Sequence, residues 1–375
     1  MAIPAGEMES RWARVQEAMA RAKLGGLLVF SNQLNSDLVH YVSNYTVLGE
    51  KAFCFLPLKG EPVLLISEAW DLERAVRESH LKDVRVIGKN WPQEIASVSR
   101  LSEGRLGVAG RENLGRFGIE SLEKPMGQES VSATRFLEEL ATIKSPYELT
   151  LIRETAKMAD AGFKKALEVA REGLPDFVLG AEMDYVMREM GATDNFQMLA
   201  VGKDNTGMLL PWGKKIERGD LLLFEITPAN GSVTYTVQLC RTAIFGEPPS
   251  RLLRDKFAVL IEALEESLAV IRPGARISEV ARIQNEIIGR AGYPEYCRPP
   301  YMRGRGHGFG LGRIDVEEDS TTEFAEGMSL VVHPNQFIPE TGYLALGEHI
   351  VVTAKGIERL TQTESKIYEC GGGGR

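Results

Sequence analysis

Three of the chain's five histidines, His307, His333 and His349, lie late in the sequence. His307 stands in RGHGFGLGR (residues 305–313), among four glycines with an arginine at each end. Glycine has no Cβ, so such a run lets backbone and ligand approach closely, at an entropic cost to folding. Imidazole titrates near neutrality and serves as a base or a metal ligand. The stretch reads either as a flexible surface loop or as a site wall with His307 as its working group. His333 interrupts the apolar run SLVVHP, where a buried polar side chain must find a partner. Glu348 opens the apolar run EHIVVT and Glu225 closes DLLLFE. Polar groups at the ends of apolar strands are a common way to mount a site on rigid elements. Two imidazoles with carboxylates support either general acid–base chemistry or metal binding.

These groups need elements to hold them. From residue 10, Trp12, Val15, Met19 and Ala20 recur at helical spacing, and the runs 25–30, 52–58 and 62–66 are short, apolar and bounded by Gly, Pro and Lys, as strands are. Residues 1–135 read as one α/β domain. Ser145, Pro146 and Glu148 carry a capping-box signature that opens a long helix, whose apolar face is Leu149, Ile152, Ala156, Ala159 and Phe163. Residues 170–192 end that helix, turn and begin another. Residues 270–293 repeat the same order, which suggests a duplicated second domain over 143–370. Each copy leads into strand-rich sequence: 220–246, a hairpin, and 328–361, with two strands joined through a glycine-containing turn. The glycine-rich tail, 371–375, is left out of the fold.

The motifs IKSPYEL, ERGDLLLFEI with a following RT, GHGFGLG, EGMSLVVHP and GEHIVVT, in that order and spacing, resemble the creatinase / aminopeptidase P / prolidase family over nearly the whole chain. The resemblance implies an α+β protein: an N-terminal creatinase-like α/β domain followed by a duplicated αβ "pita-bread" catalytic domain. It further implies a homodimer whose active site lies on the inner face of the curved sheet.

The departures from the family pattern bear on the chemistry. Its metallopeptidases hold two metal ions with two aspartates, one histidine and two glutamates. The matching positions here are Glu225, Gln238, His307, His333 and Glu348; the first glutamate, now His333, normally stands in an EPG strand. A neutral amide at 238 removes an anionic oxygen that would hold two cations together. The resemblance therefore implies at most one divalent ion per chain, zinc, manganese or iron, held by His307, His333 and Glu348. The alternative is a metal-free site like that of creatinase. Creatinase uses a histidine from the segment before GD, and Leu209 or Leu210 stands there in this chain. At these matched positions the resemblance implies His307, His333, Glu348 and Glu225 as the catalytic groups, with the general base, by elimination, one of the two histidines.

Substrate contacts are expected from Gln238, Cys240 and Arg313, with Glu50 and Lys51 of the loop 46–53 reaching a partner subunit's site. The glycines of 305–313 are not a phosphate loop, because no βαβ unit surrounds them and no Lys-Ser or Lys-Thr follows. The function expected is hydrolysis of a C–N bond, amide or amidine, in a small molecule. The alternatives are a mononuclear-metal lyase or oxygen-using enzyme, a dipeptidase or aminopeptidase, and a non-catalytic binding protein.

The totals agree with this. The chain has 375 residues, 43% hydrophobic and 26% charged, with a net charge of −8 and no long basic run, so nucleic acid is not an expected partner. No apolar stretch reaches membrane-spanning length and no signal-peptide core is present, so a cytoplasmic location is expected. The four scattered cysteines fit reduced thiols there.

Overall fold

The computed structural model describes residues 3–4, 6–100 and 104–371, so the glycine-rich tail from 372 onward lies outside the described residues. The chain divides into two compact units, Met1–Thr142 and Ile143–Arg375. In the first, strands β1 (Leu24–Asn32), β2 (Lys51–Pro57), β3 (Val63–Ile66), β4 (Asp83–Val86), β5 (Arg105–Ala109) and β6 (Val131–Ser132) form one sheet in the order β4-β3-β2-β1-β5-β6. Helices α1 (Glu7–Arg21), α2 (Asp37–Ser43), α3 (Leu72–Ser79), α4 (Trp91–Ser99), α5 (Arg111–Met126) and α6 (Thr134–Ala141) accompany it. β2 is antiparallel to β1 and β3, while β5 is parallel to β1, so the sheet is mixed. Its apolar runs are buried throughout, as strands covered on both faces require.

The second unit opens with α7 (Pro146–Val169), and its start is the capping box expected from sequence. Ser145 Oγ accepts from the Glu148 N–H, and Glu148 Oε2 accepts from the Ser145 N–H. Helix α8 (Asp176–Glu189) follows, then β7 (Asp194–Gly202), β8 (Leu221–Ala229) and β9 (Leu239–Phe245). The second copy runs α9 (Arg251–Ala269), α10 (Ile277–Arg290), β10 (Gly306–His307), β11 (Ser329–Val332), the hairpin β12 (Gln336–Ile338) and β13 (Gly342–Leu344), then β14 (Glu348–Thr353) and β15 (Gly356–Arg359). A last strand, β16 (Ile367–Cys370), joins the first copy's sheet beside β9. The two main sheets have the orders β16-β9-β8-β7 and β10-β11-β14-β15. The internal echo in the sequence is thus a helix pair followed by antiparallel strands, made twice.

Each sheet buries one face under its own helices. Ile152, Ala156 and Phe163 of α7 share a core with Leu222, Phe224 and Ile226 of β8. Leu260, Leu264, Val280 and Ile288 of α9 and α10 share another with Leu330, Val332, Ile350 and Val352. Successive strand residues point to opposite faces, so burying these sets turns the alternate residues, Glu225 on β8 and His349 on β14 among them, to the other side. Sequence alone did not indicate β7, β10, β16 or the β12–β13 hairpin. Among the described residues, no helix is long and apolar enough to cross a membrane.

Candidate active site

The glycine-rich stretch is a wall whose backbone runs against neighbouring strands. A Cβ at Gly306 would lie 2.2 Å from the Val331 carbonyl oxygen, and one at Gly310, where φ is +55°, would lie 2.5 Å from Thr234 N. This packing puts His307 in register with Val331, and Val331 with His349. The three share one face of the sheet. The His307 and His333 rings meet edge to face with centroids 5.4 Å apart, and Phe309 lies against His307 at 4.9 Å. Phe309 also stacks on His349 at 5.9 Å.

Burial disfavours imidazolium, and all three histidines are held below their ordinary value. His307 is lowered by burial, with the Arg313 charge adding to it. His333 and His349 are pushed down to about 3, burial leading and His307 contributing. Their hydrogen bonds fix protons. The Gln238 N–H donates to His349 Nδ1 at 3.2 Å, so Nε2 carries the proton shared with Ser329 Oγ at 2.9 Å. His307 Nδ1 lies 3.1 Å from the Gly308 carbonyl, which can only accept, and its Nε2 is left with a lone pair. His333 Nδ1 is buried without a hydrogen-bond partner.

On the other sheet, Glu225 lies directly between Met198 of β7 and Cys240 of β9. Its Oε1 accepts from Asn335 Nδ2 at 2.6 Å. Burial pushes its carboxyl up to about 7, against the opposing pull of the Asn335 hydrogen bond. Gly347 connects this strip to the histidines: a Cβ there would lie 2.8 Å from His333 Cβ and 3.0 Å from Cys240 Sγ. Glu225, Cys240, Gly347 and His333 therefore form one contiguous row. Gln238 is buried beside them; its Nε2 makes a long 3.4 Å contact with Thr227 Oγ1, and its Oε1 has no partner.

Other expected site residues lie elsewhere or are already engaged. Glu348 sits opposite Val332, one residue out of phase with the face carrying His307, Val331 and His349. Its Oε1 accepts from Arg241 Nη2 at 2.5 Å and Ser365 Oγ at 2.9 Å, and its Oε2 from Thr361 Oγ1 at 2.9 Å. The carboxylate and the guanidinium are both fully buried. Glu348 is thus held as the partner of a buried guanidinium. Arg313 is half exposed and turned onto Asp315 at 2.7 Å. Cys240 is fully buried, and burial drives its thiol well up, so it is packing behind the site. Glu50 and Lys51 belong to the first unit, where they pair with each other at 2.7 Å while the Lys51 ammonium sits over Trp91.

The residues do not fit the metal implied by the resemblance. Among the described residues, no three His, Cys, Asp or Glu side chains converge as a cation would need. His307 and His333 are together, but the third ligand expected, Glu348, already has a buried cation as its partner. The sequence reading missed Arg241, Asn335, Phe309 and the tautomer of His349. Asn335 stands two residues past His333 in HPN, and Arg241 stands beside Cys240 in CRT; their nearness in sequence to residues singled out was the available signal.

Two four-stranded sheets, each under its own helix pair, preceded in the chain by an α/β unit and carrying histidines and a carboxylate, are the arrangement of the pita-bread class. Residues 150–354 match metallopeptidase family M24, and residues 11–140 match the creatinase/prolidase N-terminal domain. The chain belongs to this family. It is 26% identical over 337 residues to the Xaa-Pro dipeptidase of Pyrococcus furiosus, covering 88% of this chain and 92% of that one. The prolidase structure from Pyrococcus horikoshii superposes with a TM-score of 0.80 at 25% identity, covering 95% and 99% of the two chains. The Xaa-Pro dipeptidase structure from Bacillus anthracis superposes at 0.83 with 22% identity, covering 97% of this chain and all of that one, and shares the fold. The family chemistry is hydrolysis of a C–N bond, and this chain is a hydrolase of that kind.

Proposed function

We propose that the chain hydrolyses an amide or amidine-type C–N bond of a small molecule, as a cytoplasmic homodimer, with His307, His333 and Glu225 as the reacting groups. The observation that carries this reading is the His307–His333 pair, two imidazoles kept neutral by burial 5.4 Å apart on the glycine wall. A neutral imidazole with a free Nε2 lone pair accepts the proton of an attacking water. Glu225, poised near neutrality, delivers a proton to the leaving nitrogen. The bond broken is C–N; water supplies hydroxyl to carbon and hydrogen to nitrogen. Gln238 and His333 stand where the family pattern has carboxylates, so the site favours a neutral or anionic substrate. Gln238 Oε1, buried and unpartnered, is suited to accept an N–H from it.

A second reading, dipeptide cleavage, draws on the Xaa-Pro dipeptidase relative. Both are tested by assaying the full chain against N-acyl compounds, amidines and a dipeptide panel that includes Xaa-Pro. Turnover of a small C–N substrate is expected, lost in His307→Ala with the circular dichroism spectrum unchanged. Wild-type turnover in His307→Ala, or efficient Xaa-Pro cleavage that depends on two added metal ions per chain, overturns the proposal. Sedimentation tests the dimer: an active monomer would remove it.

A further inference from the structure

At the site, the two sheets of the second unit are fastened to each other by a set of side-chain and backbone hydrogen bonds. Asn335 Nδ2 donates to Glu225 Oε1 at 2.6 Å. Cys240 and Gly347 exchange backbone hydrogen bonds, the shorter at 3.1 Å. The Gln238 N–H donates to His349 Nδ1. Arg241 donates to the Gly347 carbonyl at 2.7 Å and to Glu348. These ties fall on, or next to, the positions 225, 238 and 348 that the family pattern assigns to metal ligands, drawn from both sheets.

The Asn335 tie cannot easily yield. Asn335 is buried, its Oδ1 accepts the Leu346 N–H at 2.8 Å, and its backbone carbonyl accepts from Arg305 Nη1 at 3.0 Å. Turning the amide over would set its NH2 against the Leu346 N–H and an oxygen against the Glu225 carboxylate. The Glu348 carboxylate already has three donors, one a buried guanidinium, and removing that partner would leave an uncompensated charge.

We infer that this site is metal-independent, with the Asn335 amide and the Arg241 guanidinium donating hydrogen bonds to Glu225 and Glu348 where the family pattern assigns metal cations. Asn335 is the positioning residue of the pair: it sets which oxygen of Glu225 is engaged and occupies a lone pair of that oxygen. The inference uses the site described above but not the reaction proposed for it, and none of its readouts is turnover.

The test is cobalt binding and metal content of the full chain purified without chelator. Zinc, manganese and iron should be substoichiometric, Co²⁺ titration should give no d–d bands, and EDTA should leave Tm unchanged. Asn335→Asp places a carboxylate beside Glu225 near the two imidazoles, and it should acquire one equivalent of Co²⁺ with visible d–d bands and a cobalt-dependent rise in Tm. Asn335→Ala, which removes the donor without adding a ligand, should not. Stoichiometric metal in the wild-type protein, d–d bands on its cobalt titration, or a fall in Tm with EDTA overturns the inference. A folded Asn335→Asp protein that stays free of cobalt overturns the role given to Asn335. The wild-type measurements decide metal independence even if Asn335→Asp does not fold.

Discussion

Asn335 gives its side-chain amide to Glu225 at 2.6 Å, joining the loop after β11 to the middle of β8. The two residues are 110 positions apart in the chain. Their contact places the Glu225 carboxyl group beside Cys240 and Gly347, in the row that ends at His333. Four expectations follow from this arrangement and from the elements that hold it.

Glu225 has its carboxyl raised from 4.5 to about 7 in the folded chain. Between those values the native state binds the extra proton, so this group's contribution to stability falls as pH rises through the window and levels off above 7. Glu225→Gln keeps the shape and removes the titration. Its stability relative to wild type should therefore improve from pH 5 to pH 8, by up to about 3 kcal/mol. Urea denaturation at the two pH values checks this; a constant difference between the proteins refutes it.

His349 works in the opposite direction. Its value is lowered from 6.5 to about 3, so the stability it contributes is present above 6.5 and is lost as pH falls toward 3. His349→Asn should unfold over a narrower acid range than wild type. The check is an acid titration followed by near-UV circular dichroism.

The Arg241–Glu348 pair is buried on both sides. Glu348→Ala leaves the guanidinium without its counter-charge and should cost about 3–5 kcal/mol. The double variant Arg241→Met, Glu348→Leu should cost less than Glu348→Ala alone, because no buried charge is orphaned. Chemical denaturation of the two proteins gives the comparison.

Gly310→Ala should be far more harmful than Gly231→Ala. Both glycines have positive φ, but a Cβ at 310 would meet Thr234 N at 2.5 Å while one at 231 meets nothing within 4 Å. The backbone penalty alone is about 1–2 kcal/mol, and the clash at 310 adds about 1–3 kcal/mol. Thermal melts of the two variants separate these effects, and equal losses would mean that the wall is not packed as described.

The sequence by itself determined the order of the helices and most of the strands, and it singled out His307, His333 and Glu225 as candidates for the site. Apolar runs, the Ser145–Glu148 box and the repeated helix–turn–helix order required the α/β unit and the duplicated domain, because period, caps and turns are local properties of the chain. The interruption of SLVVHP by His333 and the glycines around His307 pointed to a polar group near closely packed backbone. The tertiary structure decided which of those groups face each other. Strand register put Glu348 one residue out of phase with His307 and His349, and pairing brought Arg241 of β9 to it from more than a hundred residues away. Asn335 reached Glu225 in the same way. Such contacts depend on how two sheets meet, and a pattern read along one strand carries no information about the partner that will lie across from it.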